Sequence, residues 1–152
     1  MEVKIKKLHP DAVIPKKGTE GSAAYDVYLP REYKVYKGRN VLLLDLSIEL
    51  PYGYEAKIEA RSGFSAKGIE GMYIGSDEVK RFDADVITGK VDADYRGNMG
   101  VIIYSKECFR IKKGTRIAQL TIYKVEDSSF KEVEELSETE RSKGGFGHTG
   151  TN

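Results

Sequence analysis

The sequence holds one cysteine, no tryptophan and four prolines among its 152 residues. With Cys108 alone, no internal disulfide and no cysteine-based zinc site can form. No run approaches the ~18 apolar residues of a membrane-spanning helix, and Met1–Lys7 lacks the apolar core of a secretory signal. Charge of one sign is missing too: 25 Lys and Arg stand against 24 Asp and Glu, a formal net charge of +1. A general nucleic-acid-binding surface wants a strong basic excess. These absences lead us to expect a soluble, intracellular, cytoplasmic protein with neither a nucleic-acid nor a membrane partner. If the source is a virus or phage, the expected place is the host cell.

What the chain does have is period two. Leu42, Leu44, Leu46, Ile48 and Leu50 alternate with polar residues, and Tyr54, Ala56, Ile58 and Ala60 alternate with Glu55, Lys57 and Glu59. Side chains on a strand point to alternate faces, so each segment has one buried face and one wet face. Val3–Leu8, Tyr25–Tyr28, Lys90–Asp94, Met99–Tyr104 and Arg116–Lys124 are further expected strands. Turn residues separate them at Pro30, Gly38, Pro51–Gly53, Gly97 and Gly114. Only Ser62–Lys67 and Ser137–Arg141 read as helical turns. Many short strands at this spacing predict an all-β, jelly-roll-like sandwich or barrel. We expect residues 1–141 to form that domain and 142–152 to form a flexible Gly-rich tail.

Five segments could carry chemistry, and each has an ordinary alternative. Gly145, Gly147 and Gly150 spell G-x-G-x-x-G, but no strand–helix unit accompanies them, so a dinucleotide fingerprint is excluded. A nest of glycine N–H groups still suits an anion, with Arg141 as a bidentate phosphate partner; the alternative is a floppy terminus. Asp92 and Asp94, read as one strand face, could hold a metal or supply a base, or simply end a strand. Arg61-Ser62-Gly63 could grip phosphate where a short helix begins, or merely cap it. Asp26 lies in an apolar strand and needs a partner, because burying a lone carboxylate is costly. Gln119 faces away from Ala118 and Leu120, toward water or an interface.

Taken together and in order, these segments resemble the five motifs of the trimeric dUTPase family, over nearly the whole chain. The matching residues are Ala23-Ala24-Tyr25-Asp26, Arg61-Ser62-Gly63, Val91–Gly97, Gly114–Leu120, and Arg141 with Gly144–Gly150. The resemblance implies a homotrimer with a swapped C-terminal tail and three active sites, each built from three chains. It implies hydrolysis of dUTP to dUMP and pyrophosphate with Mg2+, which controls dUTP and supplies dUMP for thymidylate synthesis. By the same resemblance Asp92 is the general base toward the attacking water, and Asp26 holds magnesium through water. Arg61, Ser62, Gly63, Gln119 and Arg141 serve the phosphates. Val86, Gly89 and Val91 belong to a tight hairpin that reads uracil through backbone groups. Tyr95 excludes a 2′-hydroxyl, and Phe146 covers the base within a tail that includes Gly145, Gly147 and Thr149.

Two departures stand out. Ala24 replaces a glycine common in the family, and the stretch before Gly89 is long, reading as an inserted hairpin or loop at about 71–86. Long ordered loops tend to be functional, so this insertion is an expected contact surface for a neighbouring subunit or a regulatory protein. Rival readings are a related dCTP deaminase, a bifunctional nucleotide enzyme, and a dUTPase-like regulatory module without catalysis. A deaminase needs a glutamate to activate water for attack on cytosine. The Arg61-Ser62-Gly63 motif and the complete tail favour phosphate chemistry instead.

Overall fold

The computed structural model describes residues 1–147; Thr149, with the rest of 148–152, lies outside them. Its strands are β1 (Lys4–Lys7), β2 (Lys16–Lys17), β3 (Tyr25–Tyr28), β4 (Tyr33–Val35), β5 (Gly38–Leu43), β6 (Leu46–Glu49) and β7 (Tyr54–Glu59). After the helix α1 (Ser62–Lys67) come β8 (Ile69–Met72), β9 (Val79–Phe82), β10 (Ala84–Ile87), β11 (Gly89–Val91), β12 (Gly100–Ser105), β13 (Phe109–Ile111) and β14 (Arg116–Lys124). The second expected helix, Ser137–Arg141, does not form. Residues 126–143 are exposed throughout, so no packed apolar face supports a helix of that length, which is marginal alone.

Among the described residues every strand pairing is antiparallel, in four sheets ordered β1-β6, β10-β12-β5, β11-β7-β14-β3-β2 and β4-β13-β8-β9. The sheets are open, so of the two expected architectures a closed barrel is not formed. Their inner faces share one core, which takes in Leu29, Leu44, Leu46, Ile103, Ile111 and Ile117. The period-two run from Leu42 to Leu50 keeps all five even positions buried. Yet it is two strands, broken at Asp45, which has a left-handed φ of 54°. Leu44 donates its N–H to Met99 O and Leu46 O accepts from Met99 N–H, so the break is bridged by the residue that leads into β12.

The stretch expected as an insertion is a hairpin, with Ile69 opposite Phe82 and Met72 opposite Val79. Its root is core. Phe82 is buried and stacks on Phe109 at a centroid separation of 4.3 Å. A Cβ at Gly71 would lie 2.5 Å from the Phe109 ring and 2.6 Å from Arg110 O, so only glycine lets these strands close. The tip, which carries Tyr73 and Ile74, is exposed, as are Val79, Lys80 and Arg81 along β9.

The packed body ends earlier than residue 141. Val125 donates its N–H to Gly53 O, and beyond it the hydrogen bonds among the described residues are local, such as Arg141 Nε to Gly144 O at 2.8 Å. Phe130, Leu136 and Phe146 on this arm are fully exposed.

Candidate functional site

Strand pairing brings one polar row together. In the register of β3, β14 and β7, Asp26 lies opposite Gln119, and Gln119 opposite Glu59. Paired residues share a face, so these side chains stand side by side at the end of β7 that leads into α1. A register shift between Arg116 and Ala118 lets Ile117 and Ala118 both face the core. Asp26 is only 6% exposed. Its carboxylate answers two guanidiniums, Arg61 Nε at 3.2 Å and Arg116 Nη1 at 3.5 Å. Arg61 also donates to Arg116 O at 3.3 Å, and its side chain lies over the Phe64 ring. Arg61 is the N-cap residue of α1 and makes no side-chain cap bond, which leaves Ser62 and Gly63 exposed beside the pair of arginines. The sequence flagged Asp26, Arg61, Ser62 and Gln119. It gave no role to Arg116, whose tie to Asp26 spans 90 residues and is visible only in the fold.

Asp92 and Asp94 do not share a strand face. β11 ends at Val91, and Tyr95 N–H donates to Asp92 O at 3.1 Å, so Asp92 opens a turn. Val91 pairs with Ala56, which sets exposed Asp92 level with Glu55 at the far end of β7. Lys90 donates to Glu55 Oε2 at 2.6 Å. This bond holds the Glu55 carboxyl below the usual carboxylate range and raises the Lys90 ammonium above its own. An open hollow of about 470 Å³ lies here, lined by Tyr52, Glu55, Lys90, Asp92 and Asp127 among others.

The turn is stitched to itself. The Arg96 guanidinium donates to Ala93 O at 2.7 Å and to Tyr95 O at 3.1 Å, and Tyr95 Oη donates to Asn98 O at 3.1 Å. The Tyr95 ring covers Gly97 so closely that a Cβ there would fall 2.3 Å from Tyr95 Oη. Val86 is the last residue but one of β10 and Gly89 the first of β11, with Thr88 alone between the strands, but β10 pairs with β12 while β11 pairs with β7. The expected tight hairpin is therefore a sheet-switching corner, and both strands are sheet edges there. Edge strands present unpaired N–H and C=O groups.

The two clusters stand apart in one chain. Glu55 and Glu59 are four residues apart, about 13 Å along the strand, and β11 and β14 flank β7, about 10 Å apart. The diagonal from Asp92 to Gln119 is roughly 16 Å. Asp127, at the root of the arm, lines the Asp92 hollow, whereas Arg141, Gly145, Phe146 and Gly147 lie farther along it, and among the described residues Arg141 bonds only within the arm, to Gly144 O. Among the described residues, no group of three His, Cys, Asp or Glu is placed to hold a metal ion.

Comparisons with known proteins agree with this geometry. The dUTPase family model matches residues 11–150. The deoxyuridine 5'-triphosphate nucleotidohydrolase of Arabidopsis thaliana is 42% identical, over 97% of this chain and 82% of its own. That of Nautilia profundicola is 39% identical, over 99% of each. The human mitochondrial enzyme is 36% identical, and this chain spans 56% of its length. Among solved structures, the Staphylococcus bacteriophage 80alpha dUTPase with dUpNHpp superposes with a TM-score of 0.82 at 27% identity, over 99% of both chains. The order of the motifs, the strand register that gathers Asp26, Gln119 and Arg61, and these matches agree: the chain belongs to the dUTPase family.

Proposed function

We propose that this protein is a homotrimeric dUTP nucleotidohydrolase that cleaves dUTP to dUMP and pyrophosphate. The observation that carries the sharing of sites between chains is the separation of the two clusters; the number three is what the family resemblance implies. A base must lie within about 3 Å of the proton it takes, and roughly 16 Å of sheet separates Asp92 from Gln119. One phosphorus atom is served by both only if they come from different chains. The exposed arm supports the same reading, because Phe130 and Leu136 gain burial only against another surface. An outward-facing apolar hollow lined by Val3, Ile5, Ile14, Tyr25 and Ile48 is a seat of suitable chemistry for them.

In this reading Asp92 of one subunit accepts a proton from water as its oxygen bonds to the α-phosphorus. The bond from that phosphorus to the α–β bridging oxygen breaks, and pyrophosphate carries away the electron pair. Ser62 donates toward the bridging oxygen, where negative charge grows. Arg61 and Gln119 face the phosphates, and Arg141 arrives with the arm to neutralise the γ-phosphate. The unpaired backbone along Val86, Gly89 and Val91 suits the donors and acceptors of uracil. Tyr95 packs under the deoxyribose and leaves no room for a 2′-hydroxyl. Phe146 stacks on the base, with Gly145, Gly147 and Thr149 around the phosphates; closing the arm excludes water.

A magnesium ion fits these residues as an ion carried on the substrate phosphates. Mg2+ keeps several waters and needs few protein carboxylates, and Asp26 is a single buried carboxylate beside the phosphate-facing arginines. When bound, the ion would spread the triphosphate charge, with Asp26 accepting from its waters. A phi11 phage dUTPase of S. aureus that shares this fold coordinates a structural Mg(II) ion.

The exposed hairpin tip at 73–78 serves as a contact surface for a regulatory protein. The 80alpha enzyme comes from phage dUTPases that control transfer of virulence genes. Removing 73–78 while keeping buried Met72 and Phe82 should leave turnover intact and abolish partner capture; unchanged capture refutes the assignment.

The deciding assay is pyrophosphate release from dUTP, dCTP, dTTP and UTP, with and without magnesium. Release confined to dUTP supports the reading, whereas ammonia from dCTP, or no turnover of any of them, refutes it.

A further inference from the structure

Asp45 and Ser47 are two of the buried polar side chains in this protein, at 8% exposure each. Burial of a carboxylate demands partners on every side, and those of Asp45 lead two ways, to β5 and to the loop that carries Tyr95. Its Oδ2 is paired with the Arg31 guanidinium, which also donates to Tyr33 Oη at 2.6 Å. Tyr33 Oη in turn donates to Leu43 O at 2.7 Å, so the arginine is braced against β5. The other oxygen, Oδ1, accepts from Asn98 Nδ2 at 2.9 Å. Asn98 O is the acceptor for Tyr95 Oη. Two residues along, Ser47 Oγ donates to Arg96 O at 2.6 Å.

The Asn98 amide is retained at a cost. Its Oδ1 is buried without a partner, so the side chain's polar gain comes through the bond to Asp45. The backbone tells the same story. Asp45 adopts a φ of 54°, which Asp and Asn tolerate and most residues do not. A glycine would satisfy that conformation alone. A carboxylate there satisfies it and also reaches Asn98.

Resting on the proposed role of Tyr95 against the sugar, we infer that Asp45 is a positioning residue for sugar selectivity. It fixes Asn98, whose carbonyl holds the Tyr95 hydroxyl, and so sets how closely the ring approaches the 2′ position. Asp45 itself touches no substrate.

Five variants of the full chain test this, each assayed for kcat and KM on dUTP and UTP. Asp45→Gly keeps the left-handed backbone and removes the carboxylate; the ratio of kcat/KM for dUTP over UTP should fall about tenfold, the scale of one hydrogen bond to a charged group. Asp45→Asn keeps an acceptor toward Asn98 and should restore most of the ratio. Asn98→Ala, which leaves the backbone at 45 untouched, should match Asp45→Gly, and the double variant should be no worse than either. Were Asp45→Gly to misfold, Asn98→Ala alone carries the test. An unchanged ratio in Asn98→Ala, with Tyr95→Ala lowering it, overturns the role of Asp45 and spares that of Tyr95. An unchanged ratio in Tyr95→Ala overturns both.

Discussion

The proposed division of the site between chains can be tested by mixing two inactive variants. Asp92→Asn removes the proposed base but leaves the arginine cluster whole. Ser62→Ala removes the donor to the leaving group but leaves the Asp92 turn whole. Neither should disturb the fold, since Asp92 and Ser62 are both exposed and Ser62 makes no side-chain cap bond. Loss of one donor to developing charge costs about 10²–10³ in kcat, so each pure trimer should turn over at under about 1% of the parent rate. In a cyclic trimer each site draws its cluster from one subunit and its turn from the next. Random 1:1 exchange gives a cluster from the Asp92→Asn chain half the time, and independently a turn from the Ser62→Ala chain half the time. About one site in four is then intact, and activity should return to roughly a quarter of the parent value. The 16 Å diagonal within one chain is what demands this. Mass spectrometry of the intact trimers confirms exchange. If exchanged trimers stay at the floor, both groups act from one chain and the reasoning from strand register fails.

Other outcomes follow from single contacts. Gly97→Ala puts a Cβ 2.3 Å from Tyr95 Oη; the ring swings away cheaply, so urea midpoints should barely move while the dUTP/UTP ratio falls. Phe82→Ala empties a stacked core position, and urea unfolding should show a loss of about 3–5 kcal/mol; a loss below about 1 kcal/mol would mean that the 69–82 hairpin is peripheral. For the Lys90–Glu55 pair the sign runs both ways. Glu55 titrates below its ordinary 4.5, so its contribution is present above that value and lost as pH falls through the lowered one. Lys90 titrates above 10.5, so its contribution is present below that and lost as pH rises through the raised value. Carboxyl NMR of Lys90→Gln should show Glu55 returning upward toward 4.5, and a static signal would break the assignment.

The faces of the strands were legible because burial follows a two-residue period. Tyr25–Tyr28 and Arg116–Lys124 form where alternation and turn residues place them, and Ser62–Lys67 is the helix expected. Ends and pairings were less legible, because they depend on partners far along the chain. Lys90–Asp94 looked like a strand until the Asp92–Tyr95 turn claimed its second half. The corner at Thr88 reads as a hairpin in sequence, since nothing local says that its two arms belong to different sheets. The long stretch before Gly89 looked like surplus because length alone does not show that Phe82 reaches Phe109.

The same physics explains why the site was recognisable only as a set. Asp26 taken singly is a buried charge with an unknown partner, and its partners, Arg61 and Arg116, lie 35 and 90 residues away. Asp45 is harder still. It falls at an odd, polar place in an unbroken apolar alternation, so the pattern reads it as the wet face of a strand. The fold breaks the strand there and turns the carboxylate inward to Arg31 and Asn98. Alternation reports which side chains are dry, and it reported Leu44 and Leu46 correctly on both sides of the break. It carries no information about a polar residue that is buried because something else needs holding. Such residues are found by asking what each buried charge is bonded to, and at Asp45 one branch of those bonds runs through Asn98 to the hydroxyl of Tyr95.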